Sequence, residues 1–231
     1  KVLMWTFGTT VNNTKMLLFD PNSTATLQDI TPANPPSNPP LATDIFCAGQ
    51  TIRSDGKVLI VGGFSTANPN AQPNDLYLFH PLTATWSKVP GLMVANRFYP
   101  TAFNLTRPYG DRSYILGGMQ SIGSNGADLG NAAWESYPGP SSTTPTYVEN
   151  PATSPAFENY PRAVQLSDGH IIVTDVFGNH PATNNPPNNT PPGLSWRLAP
   201  PQFPPGTGVI VSTPATVVAE RAYGPMIIAH R

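Results

Sequence analysis

Short apolar strand patterns recur along the chain, usually directly after a turn built from glycine and aspartate. They lie in the stretches KVLMW from Lys1, DGKVLIVGG from Asp55, GDRSYILGG from Gly110, SDGHIIVTD from Ser167 and YGPMIIAH from Tyr223. Lys1 and Lys57 are about 56 positions apart, and Gly62 and Gly117 are separated by nearly the same distance. A period of this length indicates a repeat architecture in which each repeat forms one unit of supersecondary structure.

A second pattern lies between these strands. The stretches KMLLFDPNSTATL (15–27) and DLYLFHPLTATWSKVP (75–90) both place Phe, then Asp or His, then Pro after an alternating apolar run. This order predicts a strand, a tight turn and a return strand. Strands that end in paired glycines, followed by a hairpin that ends at Trp86, resemble kelch repeats, which form the four-stranded blades of propellers. We therefore expect an all-β, kelch-type β-propeller.

Composition agrees with many short strands. Only 11% of the residues are charged, while there are 29 prolines and 19 glycines, a balance that disfavours long surface helices and favours strands joined by turns. The proline-rich tracts at 31–40, 185–193 and 199–206 are expected to be loops between strands.

The length of the chain sets the number of blades. With 231 residues and a period of about 56, it holds about four blades, whereas kelch-type propellers usually close with six or seven. A closed ring of four is the alternative. We expect residues 1–231 to be a partial propeller domain of a larger ring, whose C-terminal blades and any following domain lie outside this chain.

Charge and sequons bear on partners and location. Twelve basic and thirteen acidic residues give a net charge of −1, so no binding to nucleic acid or to an anionic membrane surface is expected. No stretch approaches the roughly 18 apolar residues of a membrane-spanning helix. Four sequons, at Asn12, Asn22, Asn104 and Asn188, predict a secreted, extracellular glycoprotein that carries N-glycans.

The stretch DIFCAGQ (44–50) holds the only cysteine, Cys47. A free cysteine is commonly a small buried apolar side chain, but an unpaired thiol in an oxidising compartment also suggests reactivity. In the next repeat, NRFYPTAF places Tyr99 at the comparable position before a strand. Such positions on neighbouring blades converge near the propeller axis, so the two side chains are expected to meet.

These motifs resemble a known enzyme family. FCAGQ followed by DGKVLIVGG, and NRFYPT followed by YILGG, are similar to the copper radical oxidases, closest to the glyoxal oxidase branch and more distantly to galactose oxidase. KVLMW and ENYPRAVQLSDGHIIV (158–173) also resemble propeller blades of that branch. The resemblance implies a thioether between the sulfur of Cys47 and the ring carbon beside the hydroxyl of Tyr99. It also implies that Tyr99 is a copper ligand and the seat of a radical.

The implied function is a copper-dependent oxidase that oxidises small aldehydes or primary alcohols and reduces O2 to hydrogen peroxide. Substrate would lose a proton to a second tyrosine and a hydrogen atom to the Tyr99 radical, and copper would take the second electron. The family's other ligands, a Tyr-His pair and a further histidine, have no identified counterpart in this chain. Its histidines are expected in turns or at the surface: His80, His170, His180 and His230.

Two neighbours of Tyr99 are candidates for the substrate pocket. Phe98 is expected either to shield the radical or to take part in ordinary packing. Arg97 could orient an aldehyde hydrate or a carboxylate through charge-assisted hydrogen bonds, but a surface salt bridge is the favoured expectation.

A different class of function remains open. Propellers host many unrelated activities, so the chain could be a non-enzymatic extracellular propeller that binds glycans or proteins through the loops of one face. A degenerate relative of the oxidases that lacks copper is a further alternative. A Tyr-His pair in a later blade would distinguish the oxidase from the binding protein.

Overall fold

The computed structural model of the chain describes residues 1–6, 15–22, 27–31, 44–64, 73–90, 93–105, 112–120, 130–131, 134–138, 147–149, 157, 159–174, 195–199 and 209–212. Within these ranges the chain forms fifteen β-strands and no α-helix. The all-β prediction is therefore confirmed. None of the described segments is a helix of the length and apolarity needed to cross a membrane.

The strands follow the repeats of the sequence. In chain order they are β1 (Val2–Trp5), β2 (Met16–Phe19), β3 (Gln28–Asp29), β4 (Gly49–Ile52), β5 (Val58–Val61), β6 (Leu76–His80), β7 (Thr85–Lys88), β8 (Thr101–Leu105), β9 (Arg112–Leu116), β10 (Trp134–Tyr137), β11 (Tyr147–Glu149), β12 (Arg162–Gln165), β13 (Ile171–Thr174), β14 (Ser195–Ala199) and β15 (Val209–Ser212).

These strands form four antiparallel sheets, each made of strands that are consecutive in the chain. Their orders are β1-β2-β3, β4-β5-β6-β7, β8-β9-β10-β11 and β12-β13-β14-β15. The last three are four-stranded meanders, as expected for propeller blades. The predicted hairpin at 75–90 is present, because β6 pairs with β7 with Phe79 opposite Trp86. In the first repeat β2 also pairs with β3, but this return strand lies at Gln28–Asp29, after the stretch 15–27, so the two strands are not joined by the predicted tight turn.

Apolar side chains are buried between successive sheets. Along β5, Ile60 packs towards the first sheet, whereas Leu59 and Val61 pack towards the third. This alternation explains why the strand is apolar at every position, since both of its faces are covered. The indole nitrogen of Trp86 donates to the carbonyl of Ile30 at 3.2 Å and links the first two sheets. Successive sheets therefore pack face to face, as the blades of a propeller do.

The first strands of the last three sheets lie side by side. Strand β8 contacts both β4 and β12. The approach is close, because a Cβ added to Gly49 on β4 would come within 2.6 Å of the carbonyl oxygen of Pro100. The segments that precede these three strands are thereby brought together.

The paired glycines that end β5 contact the segments that lead into β4 and β8. Gly63 has a positive φ of 139°, and an added Cβ would clash with the carbonyl oxygen of Asp44. Gly56, in the preceding turn, also has a positive φ, of 77°, but no atom lies within 4 Å of an added Cβ. Substitution at both glycines adds the cost of a positive φ, but only substitution of Gly63 adds a steric clash, so a comparison of the two separates these costs.

We expect Gly63→Ala to lower the free energy of unfolding by about 2–4 kcal/mol, because it adds a clash with rigid backbone to the cost of a positive φ. Gly56→Ala, the matched control, should cost only about 1 kcal/mol. Urea unfolding of both variants checks this, and equal losses would contradict the close approach at Gly63.

Candidate active site

Three residues occupy the same position in their repeats, just before β4, β8 and β12. These are the first strands of the last three sheets, and we call them the inner strands. Cys47, Tyr99 and Tyr160 all have left-handed backbone conformations, with φ of 65°, 58° and 43°. The N–H of Tyr99 donates to the carbonyl of Cys47 at 3.0 Å, and the N–H of Tyr160 donates to the carbonyl of Tyr99 at 2.7 Å. This conformation is uncommon and costly for residues other than glycine, and it clusters at functional sites.

The three side chains line one cavity of about 320 Å³. The other lining residues are Trp5, Phe46, Ala48 and Gln50. The structure thus places Cys47 and Tyr99, the two catalytic residues predicted from the sequence, in the same cavity. It adds Tyr160, which the sequence analysis did not single out.

The Cys47 thiol is buried, with 7% of the residue exposed. Burial raises its pKa to about 11, and the charge of Asp44 acts in the same direction, while a hydrogen bond with the Tyr99 side chain acts against them. The thiol is therefore protonated at neutral pH, and it packs in one cluster with the Tyr99 ring. It also packs against Phe98 and Met119, so the expectation of a buried apolar residue describes its packing.

The raised pKa makes Cys47 slow to alkylate. In protein prepared without copper, iodoacetamide at pH 8 should modify Cys47 about 100-fold more slowly than in urea-unfolded protein. The reason is that the reactive thiolate is about 100 times scarcer with a pKa of about 11 than with the ordinary 9.0. The rate should rise as the pH approaches 11. Equal rates in folded and unfolded protein would show that the thiol is not shielded.

The aromatic rings of Phe98 and Tyr160 contact that of Tyr99. The Phe98 ring centroid lies 3.9 Å from that of Tyr99 with the planes 31° apart, and the Tyr160 centroid lies 4.8 Å away at 44°. Phe98 also contacts Phe64, at 5.3 Å between centroids. Phe98 therefore covers the Tyr99 ring and is part of the core as well, so both expectations for it remain open.

Arg97 is fully buried and forms a salt bridge with Glu135, so the expected location of this salt bridge at the surface is wrong. Its Nε and one terminal nitrogen donate to the same Glu135 oxygen at 3.1 and 2.8 Å, and the other terminal nitrogen donates to the carbonyl of Gly117. Burial lowers the pKa of Arg97, and the Glu135 carboxylate opposes this change. Glu135 also accepts from the N–H groups of Val94 and Ala95.

Arg97 does not line the cavity of Cys47 and Tyr99. Its segment passes between the second and third sheets, where the N–H of Gly63 donates to its carbonyl at 3.1 Å. The side chain therefore points into the interior, where Glu135 compensates its charge. This position gives Arg97 a role in holding two blades together and gives no support to the predicted substrate contact.

Two of the four histidines lie among the described residues. His80 ends β6 and its Nε2 is 3.2 Å from the hydroxyl of Ser87. The Nδ1 atom of His170 is 3.1 Å from a carboxylate oxygen of Asp168, beside Arg197. His180 and His230 lie outside the described residues. The part of the chain that is described contains no group of three or more His, Cys, Asp or Glu arranged to hold a metal.

Two of the four predicted glycosylation sites can be placed. Asn22 is exposed in the turn after β2. Asn104 lies on β8, where its amide nitrogen donates to the carbonyl of Ile52 and its amide oxygen accepts from Ser113 at 2.6 Å. A glycan attaches at that amide nitrogen, so Asn22 is the better placed acceptor. Asn12 and Asn188 lie outside the described residues.

Tyr160 carried a signal in the sequence. The stretch NYPRAV repeats the order of NRFYPTAF, a Tyr followed by Pro just before an inner strand. An alignment of the repeats on this Tyr-Pro pair places Tyr160 at the position of Tyr99.

Comparisons with known proteins support the fold. A kelch motif matches residues 46–92, which span β4 to β7. Among solved structures, the kelch-type protein described as "Structure of YjhT" is 15% identical and covers 89% of this chain with a TM-score of 0.51. The chain in turn spans 59% of that structure. None of the curated protein sequences that were compared matches the chain. At this identity the likeness shows the fold alone: a kelch-type propeller.

Proposed function

We propose that the chain belongs to a secreted, glycosylated copper radical oxidase that converts small aldehydes or primary alcohols and reduces O2 to hydrogen peroxide. The observation that carries the proposal is that Cys47 and Tyr99 line one cavity and pack in the same cluster. The motifs FCAGQ and NRFYPT, similar to those of the copper radical oxidases, support it.

The pair fits a thioether between Cys47 and Tyr99. The new bond joins the sulfur to the ring carbon beside the hydroxyl, and the thiol hydrogen and that carbon's hydrogen leave with two electrons. Dioxygen takes both electrons and both protons and becomes hydrogen peroxide. Burial keeps Cys47 protonated and out of reach of competing thiols until this bond forms.

The described residues fit only part of a copper site. Tyr99 offers a phenolate oxygen, and Tyr160 brings a second phenol to the same cavity. The resemblance assigns the other donors to a Tyr-His pair and a further histidine, so they must come from outside the described residues. When bound, copper supplies a Lewis acid for the substrate oxygen and accepts one of the two electrons.

The role of Tyr99 is to take a hydrogen atom from the substrate carbon, which returns its phenoxyl to a phenol. A sulfur on the ring delocalises the unpaired electron and makes the phenoxyl easier to form. The aromatic side chains of Trp5, Phe46 and Tyr160 line the cavity around this group.

The proposal is tested with purified, copper-loaded protein and methylglyoxal. Oxygen uptake should be matched by an equal amount of hydrogen peroxide, and copper-free protein is the control. If loaded and copper-free protein release the same background of peroxide, the oxidase is excluded. The propeller would then be assigned to the binding of glycans or proteins.

A further inference from the structure

Among the described residues, the first sheet has one strand fewer than each of the others. The repeat aligns Lys1 with Lys57, so β1, β2 and β3 correspond to β5, β6 and β7 of the second sheet. No described strand corresponds to β4, the inner strand that pairs with β5. The edge of β1 that faces away from β2 is therefore unpaired in the part of the chain that the structure describes.

The register shows which backbone groups of β1 point to this edge. The N–H of Thr6 donates to the carbonyl of Lys15 at 3.0 Å, and residues along an antiparallel pair bond to their partner strand alternately. The N–H and C=O groups of Leu3 and Trp5 therefore point away from β2. An unpaired edge of this kind is a template for a further strand.

The second sheet shows what such a strand does. The residues of β5 that correspond to Leu3 and Trp5 are Leu59 and Val61, and both bond to the inner strand β4. The first sheet thus presents the same two residues in the same register, without a described partner.

An apolar trough of about 340 Å³ runs along the unpaired edge. Its lining includes Leu3 and Trp5 of β1 and, from β4, Gln50 and Ile52. Ile52 is 70% exposed, so a large apolar side chain of an inner strand is left open to this trough. The trough shares Trp5 and Gln50 with the cavity of Cys47.

The spacing of the inner strands limits what fits there. An added Cβ on Gly49 would come within 2.6 Å of the carbonyl oxygen of Pro100, and the hydroxyl of Thr101 donates to the carbonyl of Pro161 at 2.6 Å. Gly49 and Thr101 each lie opposite the last residue of the strand they pair with. A strand in the trough should therefore carry a small residue opposite Trp5, the last residue of β1.

We propose that a fourth strand of the same protein lies in the trough, antiparallel to β1, and exchanges hydrogen bonds with Leu3 and Trp5. Each described inner strand belongs to the same chain as the strands of its sheet, so we assign the occupant to this protein and not to a second copy. The chain spans 59% of the kelch-type structure, so that structure has residues beyond the part this chain matches.

The docked strand also bears on the candidate active site. Because the trough and the cavity share Trp5 and Gln50, the strand forms one wall of the cavity that Cys47 and Tyr99 line. The cavity is therefore complete only when the first sheet has its fourth strand. This inference does not depend on copper or on the proposed oxidase chemistry.

Hydrogen exchange of the mature, full-length protein tests the docking. We expect the amides of Leu3 and Trp5 to exchange within about 10-fold of the rates of Leu59 and Val61, because both pairs are then hydrogen-bonded inside a sheet. The rates should not depend on protein concentration, and the native mass should be that of one chain. Rates near those of the unfolded chain overturn the inference. Protection that appears only with the mass of a dimer, or of a bound foreign peptide, also overturns it.

Two matched variants test the trough itself. In Ile52→Asp the docked strand must bury a carboxylate, so exchange at Leu3 and Trp5 should become about 10-fold faster or more. Val94→Asp is the control, because Val94 is similarly exposed, at 74%, and does not line the trough, so it should leave these rates unchanged. Equal rates in the two variants overturn the inference. If Ile52→Asp does not fold, the exchange rates and the native mass of the unsubstituted protein decide.

Discussion

Tyr99→Phe should abolish both the oxidase activity and the cross-link to Cys47. The substitution removes the phenol oxygen, which the account requires as a metal ligand and as the source of the radical, and leaves the packing of the ring against Phe98 and Tyr160 in place. We expect kcat/KM for methylglyoxal to fall by about 1,000-fold or more, as for deletion of an essential catalytic group. Peroxide release measures the activity, and alkylation after unfolding shows that Cys47 has become free.

Tyr137→Phe is the matched control for this loss. It removes one hydroxyl from a tyrosine that lies outside the cavity, and it should retain the activity and the cross-link. Retention of more than a tenth of the activity by Tyr99→Phe would show that Tyr99 is not the seat of the radical.

Of the substitutions that remove a charge, Arg97→Met should lower the free energy of unfolding the most. It leaves the carboxylate of Glu135 buried without its cation, and a buried pair that loses one partner typically costs about 3–5 kcal/mol. We expect a loss of that size in the free energy of unfolding, measured with urea. The cost comes mainly from the uncompensated charge, with a smaller part from the carbonyl of Gly117 that loses its donor, because methionine fills a similar volume.

Two further variants separate these causes. Adding Glu135→Gln to Arg97→Met removes the stranded charge and keeps one oxygen, which can accept from only one of the N–H groups of Val94 and Ala95, so it should restore part of the loss. Lys57→Met breaks an ion pair with Asp55 that is partly open to solvent and should cost less than about 1 kcal/mol. Similar losses for Arg97→Met and Lys57→Met would contradict a tight buried pair.

The fold could be predicted because its signals are local. The paired glycines and the alternating runs predict β5, β6 and β9 to within a few residues each. Because the same pattern recurs, the assignment of strands in one repeat supports the assignment in the others. The number of blades in the complete ring stays a prediction, since it depends on strands that are not described.

The surroundings of the site could be predicted only in part. Cys47 and Tyr99 were found because each precedes an inner strand at a matching point of its repeat. Arg97 was misplaced because a charged residue is rarely buried without a partner, and its partner Glu135 is distant in the sequence. Nothing near Arg97 in the chain shows that its segment runs between two sheets.

The most direct test of the central claim is a peptide map of mature protein that has been unfolded, reduced and alkylated. Trypsin cleaves after Arg53 and Arg97, so Cys47 and Tyr99 fall in separate peptides unless a bond joins them. The account predicts one joined species, lighter by two hydrogens than the sum of the two peptides, and no alkylated Cys47. A fully alkylated Cys47 peptide from copper-matured protein would contradict it.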